Sequence, residues 1–188
     1  TYPFFSLQAR PFIVPIYPDY HTELFPDSIL RTESPADFVE NEPHRSAISK
    51  VYISRSLERN LDSGDVIVFY RTGGYHRGVV TTIGIVEDTV DNIACEAEFI
   101  RLCRKRSVFD DRELARHWNY RRNSRPFVVD FLYAYSLPKR PNMKRLIEMG
   151  ILRGVDDAPR GFRQISPQNL RDILEESNAD EGIAVDQT

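Results

Sequence analysis

Two apolar segments in the middle of the chain predict a β-hairpin. Residues 66–70 (VIVFY) form a β-branched and aromatic run of strand length after the turn signal Gly64-Asp65, and residues 79–86 form a second, longer run. A glycine-containing loop at residues 72–74 joins the two runs, so we expect them to pair antiparallel. Because both runs are apolar on both faces, the hairpin is expected at the centre of a sheet. Gly84 lies within the second strand, a position typical of a bulge, and such a kink suits a small closed barrel.

Shorter patterns on either side of the hairpin predict further strands and a series of short helices. Strands are expected at residues 12–16, as a proline-containing edge strand, at residues 50–54, and at residues 126–137 with Val129, Phe131, Tyr133 and Tyr135 on one face. Helices are expected at residues 20–25 after an Asp19 cap, 34–41, 93–104, 110–118 after an Asp110 or Asp111 cap, 142–149 before Gly150, and 166–176. About five strands bridged by helical insertions predict an α+β, barrel-like domain.

Length and composition are those of one globular domain. The chain has 188 residues, 41% of them hydrophobic, enough for one substantial core. We expect residues 1–12 to be an extended connector, residues 13–176 to be the domain and residues 177–188 to be a disordered acidic tail. No apolar run approaches the roughly 20 residues that cross a bilayer and no signal peptide opens the chain, so we expect a cytoplasmic protein. The start at Thr1, without a methionine, suggests a domain of a longer protein.

Motifs for metal binding or catalysis are weak. His21, His44, His76 and His117 are far apart and form none of the usual ligand spacings, so we expect neither a metal nor a cofactor. Cys95 and Cys103 are too few for a disulfide framework and are expected to be reduced and largely buried.

Two further segments carry residue types that can take part in chemistry. Ser54 and Ser56 have no paired histidine and aspartate, which argues against a nucleophilic serine. The hairpin loop lacks the lysine and hydroxyl residue of a phosphate-binding loop, although His76 and Arg77 at its tip could touch a ligand. Nothing in these patterns requires an enzyme.

Positive charge is concentrated in one segment although the net charge of the chain is −3. Residues 101–125 contain only three acidic residues but nine basic ones. The basic residues are Arg101, Arg104, Lys105, Arg106, Arg112, Arg116, Arg121, Arg122 and Arg125. Arginine suits phosphates and base edges, and the interleaved Phe109, Trp118 and Tyr120 could stack on bases. The alternative is a solvated helix face whose arginines pair with acidic residues elsewhere. The sequence allows both interpretations.

Several motifs together resemble the PUA-like superfamily, and in particular its EVE- and ASCH-type domains, which also occur C-terminal to GNAT acetyltransferase domains. The segments that carry the resemblance are PIYPDYHTELFPD (15–27), AISKVYISRS (47–56), GDVIVFYRT (64–72), TTIGIVED (81–88), EFIRLCRKRSVF (98–109) and MGILRGVDDAPRGFRQIS (149–166). The resemblance implies a β-barrel of five to six mostly antiparallel strands with helices packed at its ends.

The resemblance also implies a nucleic-acid-binding function. Such domains bind RNA or DNA, and some relatives hold a modified base in a pocket. By position, the pocket here would be lined by Ser54, Phe69, Tyr70, Arg71, Thr82 and Gly84, with Trp118 as a stacking wall. From the charge pattern, the phosphates would be contacted by Arg104, Lys105, Arg106, Arg121 and Arg122, and His76 and Arg77 at the hairpin tip could also touch the nucleic acid.

Three alternatives to base binding stay open. The first is an ASCH-type ribonuclease, for which His21, Tyr70 and Arg71 form the grouping to test. The second is a regulatory domain that binds a nucleotide, or an N-terminal acetyltransferase domain in cis. The third is a barrel whose interior is filled by its own tyrosines.

Overall fold

A computed structural model describes residues 4–28, 47–104, 106–180, 182 and 184–185. The predicted helix at 34–41 and the predicted phosphate ligand Lys105 lie outside these ranges. None of the helices within them has the length and apolar character needed to span a bilayer. The limits of the connector and of the tail stay predictions, although Phe5 is buried in the core.

Eight strands form two sheets within the described residues. The strands are β1 (Phe5–Ser6), β2 (Pro11–Ile16), β3 (Ser49–Ser54), β4 (Val66–Arg71), β5 (Val79–Val90), β6 (Phe127–Ser136), β7 (Arg163–Gln164) and β8 (Ala184–Val185). Six of them form the main sheet in the order β3-β6-β5-β4-β2-β7, while β1 and β8 pair in parallel. The predicted hairpin is therefore confirmed as the antiparallel pair β4–β5 at the centre of the main sheet.

Six α-helices surround the sheet in the same ranges. They are α1 (Pro18–Leu24), α2 (Gly74–Arg77), α3 (Glu96–Cys103), α4 (Asp111–Asn119), α5 (Met143–Glu148) and α6 (Pro167–Glu176). The cap of α4 at Asp110 is as predicted, since its side chain accepts a hydrogen bond from a backbone N–H of the first turn. Asn142, which was predicted to lie within the helix, caps α5 in the same way. The Asp19 cap is wrong. Asp19 lies inside α1, which begins with Pro18 at its first position, and Tyr17 precedes it without a side-chain cap.

The main sheet is open, because no pairing joins β3 to β7 in the described residues, but it curls until side chains near its two edges touch. The hydroxyl of Tyr52 on β3 donates to the carbonyl of Pro15 on β2, and its ring contacts Phe162 next to β7 at 5.5 Å. This curl gives the barrel-like α+β fold that was predicted. The predicted edge strand β2 lies one place inside the edge, because the short β7 pairs with Phe12 and Ile13.

Three hydrophobic clusters cover the two faces of the curled sheet. The inner face carries a cluster rich in phenylalanine, packed beneath α1. The outer face is covered by α5 and α6 on one side and by α3 and α4 on the other. Cys103 is buried in the last cluster, but Cys95 precedes α3 and is exposed, so only one of the two predicted buried thiols is buried.

Single extra residues interrupt the strand pairing at three points. Thr81 is passed over in the β4–β5 pairing, and Ala134 and Glu87 are passed over in the β5–β6 pairing. The second bulge lies next to Gly84, which the sequence marked as a bulge position. Because an extra residue reverses the alternation of side chains, Tyr135 packs on the outer face instead of sharing the inner face with Tyr133.

Candidate functional site

Four buried polar side chains and the half-buried Ser136 lie together at the end of the inner face where β5 begins and β6 ends. Nε2 of His21 lies 2.8 Å from Oγ1 of Thr81, and Oγ1 of Thr82 lies 2.9 Å from Oγ of Ser28. Ser28 donates in turn to Oγ of Ser136 at 2.7 Å. The bulge at Thr81 makes this arrangement possible, since it turns two consecutive threonines toward the same face. We call these five residues the hydroxyl cluster.

His21 in this cluster is a neutral imidazole. Burial, followed by the nearby Arg71 and Arg140, lowers the pKa of its side chain from 6.5 to about 3. Its Nδ1 is buried and has no hydrogen-bond partner within the described residues. A base of such low pKa is poorly suited to proton abstraction at neutral pH, but its ring nitrogens can orient a polar ligand.

Lys50 lies at the same end of the barrel and was not among the residues predicted from the sequence. It is almost fully buried, and burial lowers the pKa of its ammonium from 10.5 to about 8 against the opposing effect of Asp27. Asp27 precedes Ser28 in the 3₁₀ turn after α1, and its carbonyl accepts from Ser136. A buried lysine with a perturbed pKa is typical of functional sites. The face of the strand on which Lys50 lies could have been predicted from the sequence. Lys50 is two residues from Tyr52 in KVYIS, so the two side chains point to the same face of the strand.

The residues predicted to line a pocket do not form a single group. Arg71 and Thr82 lie at the end with the hydroxyl cluster, whereas Ser54 pairs with Phe127 at the other end of the inner face. The ring of Phe69 packs against Phe25 and Phe131, with ring centroids 4.7 and 5.0 Å apart.

Gly84 leaves no room beside these rings. A Cβ added to Gly84 would stand 2.8 Å from the ring of Phe131 and 3.2 Å from the ring of Phe69. The middle of the barrel is thus filled by its own aromatic side chains.

Tyr70 is separated from the two residues with which it was grouped for catalysis. It points to the outer face, where it belongs to a different cluster from the neighbours of His21. His76 and Arg77 lie in α2 at the exposed tip of the β4–β5 hairpin, and the ring of His76 contacts Tyr75 at 4.7 Å. The arrangement brings together His21 and Arg71 only.

The predicted phosphate ligands and stacking wall differ in their surroundings. Arg104 pairs with Asp111 at 2.5 Å, and Arg106 pairs with Asp130 at 3.2 Å. Trp118 is buried, with Phe99 at 5.4 Å on one side and the guanidinium of Arg125 at 4.5 Å over its ring. Arg121 and Arg122 are exposed.

An exposed aromatic side chain lies among arginines beyond the end of α4. Tyr120 is 71% exposed, and the guanidinium carbons of Arg55 and Arg121 lie 5.7 and 5.4 Å from its ring centre. Arg55 donates to the carbonyls of His117 and Ser124, which fixes it beneath the loop. We call Tyr120, Arg55, Arg59, Arg121, Arg122 and Arg125 the Tyr120 surface.

Like charges crowd this surface. The pKa of Arg55 is lowered first by burial and then by the neighbouring Arg121, Arg125 and Arg59. Among the described residues, Asp91 forms an ion pair with Arg59 at 2.5 Å, and no carboxylate pairs with the other arginines of the surface. Such crowding of guanidinium groups favours an anionic ligand.

Comparison with known proteins identifies the fold. No protein-family model and no curated protein matches the sequence. Solved structures do match: ZmASCH from Zymomonas mobilis superposes with a TM-score of 0.59 at 10% identity, covering 88% of this chain and 94% of that one. Human THYN1, solved in complex with 5-methylcytosine-containing DNA, superposes with a TM-score of 0.50 at 7% identity, covering 92% and 99%. Protein Atu2648 from Agrobacterium tumefaciens gives 0.50 at 12% identity, covering 95% and 100%. The chain therefore has the PUA-like fold of ASCH- and EVE-type domains.

Proposed function

We propose that this domain binds single-stranded nucleic acid through the Tyr120 surface. The observation that carries the proposal is the exposed ring of Tyr120 next to the guanidinium groups of Arg55 and Arg121. An exposed ring can stack on an unpaired base, which contributes roughly 1–3 kcal/mol, whereas bases inside a duplex are already stacked. The DNA bound to THYN1, a protein of the same fold, is consistent with a nucleic-acid partner.

The arginines of the Tyr120 surface would supply the contacts to phosphates. Arg121 and Arg122 are exposed and make no ion pair within the described residues. Phosphates would relieve the repulsion among them and release counterions. Arg104 and Arg106 are less suited, because Asp111 and Asp130 already pair with them.

The test is a fluorescence-anisotropy titration with labelled single-stranded RNA, single-stranded DNA and duplex DNA at two salt concentrations. We expect single strands to bind more tightly than the duplex, and Tyr120→Ala to weaken that binding about tenfold. Arg121→Ala with Arg122→Ala should reduce the salt slope by about 1–2.

Matched variants control for general effects on the surface. Tyr75→Ala removes an exposed tyrosine from the hairpin tip, and Arg101→Ala with Arg104→Ala removes two arginines near carboxylates. Equal effects of test and control variants would contradict the proposal, as would duplex DNA bound as tightly as single strands.

A finer part of the proposal concerns a base, modified or unmodified, at the hydroxyl cluster. The buried hydroxyls and Nδ1 of His21 offer donors and acceptors suited to the polar edge of a base. The cluster and the Tyr120 surface adjoin opposite ends of the ten-residue β6, so one oligonucleotide would have to span about 30 Å to reach both.

Replacing Thr82 with the isosteric Val tests this part. We expect Thr82→Val to change the preference between oligonucleotides containing cytosine and 5-methylcytosine while leaving the salt slope unchanged. The same loss of affinity for every sequence would argue against base reading at this position.

Lys50 favours a second candidate function, cleavage of RNA. An ammonium with a pKa of about 8, under the influence of Asp27 at the end of the barrel that carries the hydroxyl cluster, could stabilise a phosphoryl oxygen or shuttle a proton. Lys50→Met should then abolish RNA cleavage while binding persists, whereas His21→Ala should act mainly through stability. Equal rates for the wild-type protein and Lys50→Met would exclude this candidate.

A further inference from the structure

A second exposed aromatic surface lies on the other side of Phe109 from α4. The rings of Tyr17 and Tyr20 meet edge to face with centroids 6.4 Å apart, and Tyr20 meets Phe109 in the same way at 4.7 Å. Tyr17 is 68% exposed and Tyr20 is 37% exposed. We call these three residues the Tyr20 surface. It joins α1 to the segment before α4, which lie far apart in the sequence.

Carboxylates surround the Tyr20 surface. Asp19 and Glu23 flank Tyr20 on α1, and Glu113 approaches it from α4. All three act on the phenol, since the pKa of Tyr20 is raised first by burial and then by Glu113, Asp19 and Glu23. The charge of this surface is therefore opposite to that of the Tyr120 surface.

The chemistry of the Tyr20 surface excludes one class of ligand and fits another. Three carboxylates repel a phosphate backbone, so the surface is a poor continuation of the nucleic-acid site. The faces of exposed aromatic rings attract ammonium and guanidinium groups, and neighbouring carboxylates strengthen that attraction. The aliphatic stems of lysine and arginine can also cover the exposed rings.

We infer that the Tyr20 surface binds a lysine- or arginine-rich segment of a partner protein. Charge complementarity selects this occupant: the rings supply the apolar contact and the carboxylates of Asp19, Glu23 and Glu113 supply the opposite charge.

The surface is built before any partner arrives. Phe109 is held from behind by the ring of His117 at 4.3 Å. Glu113 is fixed by the capping box of α4, in which its carboxylate accepts from the backbone N–H of Asp110 at 2.9 Å. Since these groups are already ordered, binding loses little conformational entropy.

The experiment measures binding of a fluorescein-labelled ten-residue peptide of alternating lysine and serine, with a glutamate–serine peptide of the same length as the negative control. We expect the lysine peptide to bind and the glutamate peptide not to bind.

Tyr17→Ala should weaken binding about threefold, because cation–π contacts at exposed sites contribute modestly. The triple variant Asp19→Asn, Glu23→Gln, Glu113→Gln should weaken it at least about tenfold. The side-chain amide oxygen that Glu113→Gln introduces can still accept the capping hydrogen bond of α4.

A control triple variant separates this site from general electrostatics. Asp88→Asn, Asp156→Asn and Glu175→Gln change the net charge equally at exposed positions elsewhere. An equal loss of affinity in both triple variants would overturn the inference, as would the absence of lysine-peptide binding at low salt. A Tyr17→Ala variant that loses nucleic-acid affinity but not peptide affinity would assign the surface to the nucleic-acid site instead, and would also overturn it.

Discussion

The phenolic oxygen of Tyr70 lies directly over Gly78, the residue that follows α2. A Cβ built on Gly78 would stand 2.0 Å from this oxygen and 2.7 Å from the ring carbon that bears it. The hydroxyl is buried and has no hydrogen-bond partner within the described residues. The hairpin tip is thus packed against a tyrosine that uses its ring but not its polar group.

Two substitutions test this contact. Tyr70→Phe should leave the free energy of unfolding unchanged or raise it by up to about 1 kcal/mol, because it removes an unpaired buried hydroxyl. Gly78→Ala should lower it by about 2–3 kcal/mol, because the new methyl group overlaps the phenol. Urea denaturation of both variants gives the values, and a destabilised Tyr70→Phe would mean that the hydroxyl has a partner.

His21 should make the domain sensitive to acid. Its pKa of about 3 in the folded state lies below the unfolded value of 6.5, so the unfolded chain binds the proton more readily. The contribution of the neutral His21 to the free energy of unfolding is complete above pH 6.5 and is lost as the pH falls toward 3, on the order of 5 kcal/mol in all. His21→Gln should remove this part of the pH dependence in denaturation curves, whereas His76→Asn at the exposed hairpin tip should leave it unchanged.

Lys50 should make the stability of the domain depend on pH in the alkaline range. The pKa of its ammonium is about 8 in the folded state and 10.5 in the unfolded chain, so stability rises as the pH increases between these values. Lys50→Met should abolish that rise, because the variant has no ammonium to lose its proton. Thermal unfolding at pH 7 and pH 10 checks this, and a variant that keeps the full rise in stability between these pH values would show that another group titrates there.

Asp88 and Asp130 are directly opposite each other on β5 and β6. The pKa of Asp130 is raised first by burial, against the effect of Arg106, and further by Asp88 and Glu87. Asp88→Asn should therefore lower the pKa of Asp130 and stabilise the domain by a few tenths of a kcal/mol (about 0.2–0.5). NMR titration of the carboxyl groups measures the first effect, with Asp156→Asn as the control that should leave Asp130 unaffected.

The two cysteines should differ in reactivity. Cys95 is exposed, whereas burial raises the pKa of the Cys103 thiol to about 12. A thiol reagent at pH 8 should modify one cysteine rapidly and the second at a rate set by unfolding. Cys95→Ser should remove the rapid phase, and rapid modification of that variant would mean that the cluster around Cys103 opens readily.

Elements with local signals were predictable from the sequence. The cap Ser166 and the following proline start α6 as expected, and Gly150, with φ of +73°, follows α5. The side on which Tyr135 packs was not predictable, because the bulge at Ala134 arises from pairing with β5 and not from the sequence of β6 itself.

The candidate site shows the same division. The basic segment was evident from the sequence, but all of its aromatic residues were interpreted as candidates for stacking on bases. Leu114 and Trp118 are four residues apart and therefore share the buried face of α4. That spacing distinguishes Trp118 from the exposed Tyr120. The proximity of His21 to Thr81 could not be inferred, since 60 positions separate the two residues along the chain. The expected acetyltransferase domain in cis and the cytoplasmic location stay predictions.

The three extra residues in the central strands also constrain how the domain can fold. A regular ladder can slip by two residues and keep its apolar face buried, which creates competing misaligned hairpins. If β5 slipped along β4 and β6, the bulges at Thr81, Ala134 and Glu87 would no longer lie opposite the residues with which the strands pair around them. Each misalignment would lose hydrogen bonds at several points at once, so the native alignment of the sheet has few close competitors during folding.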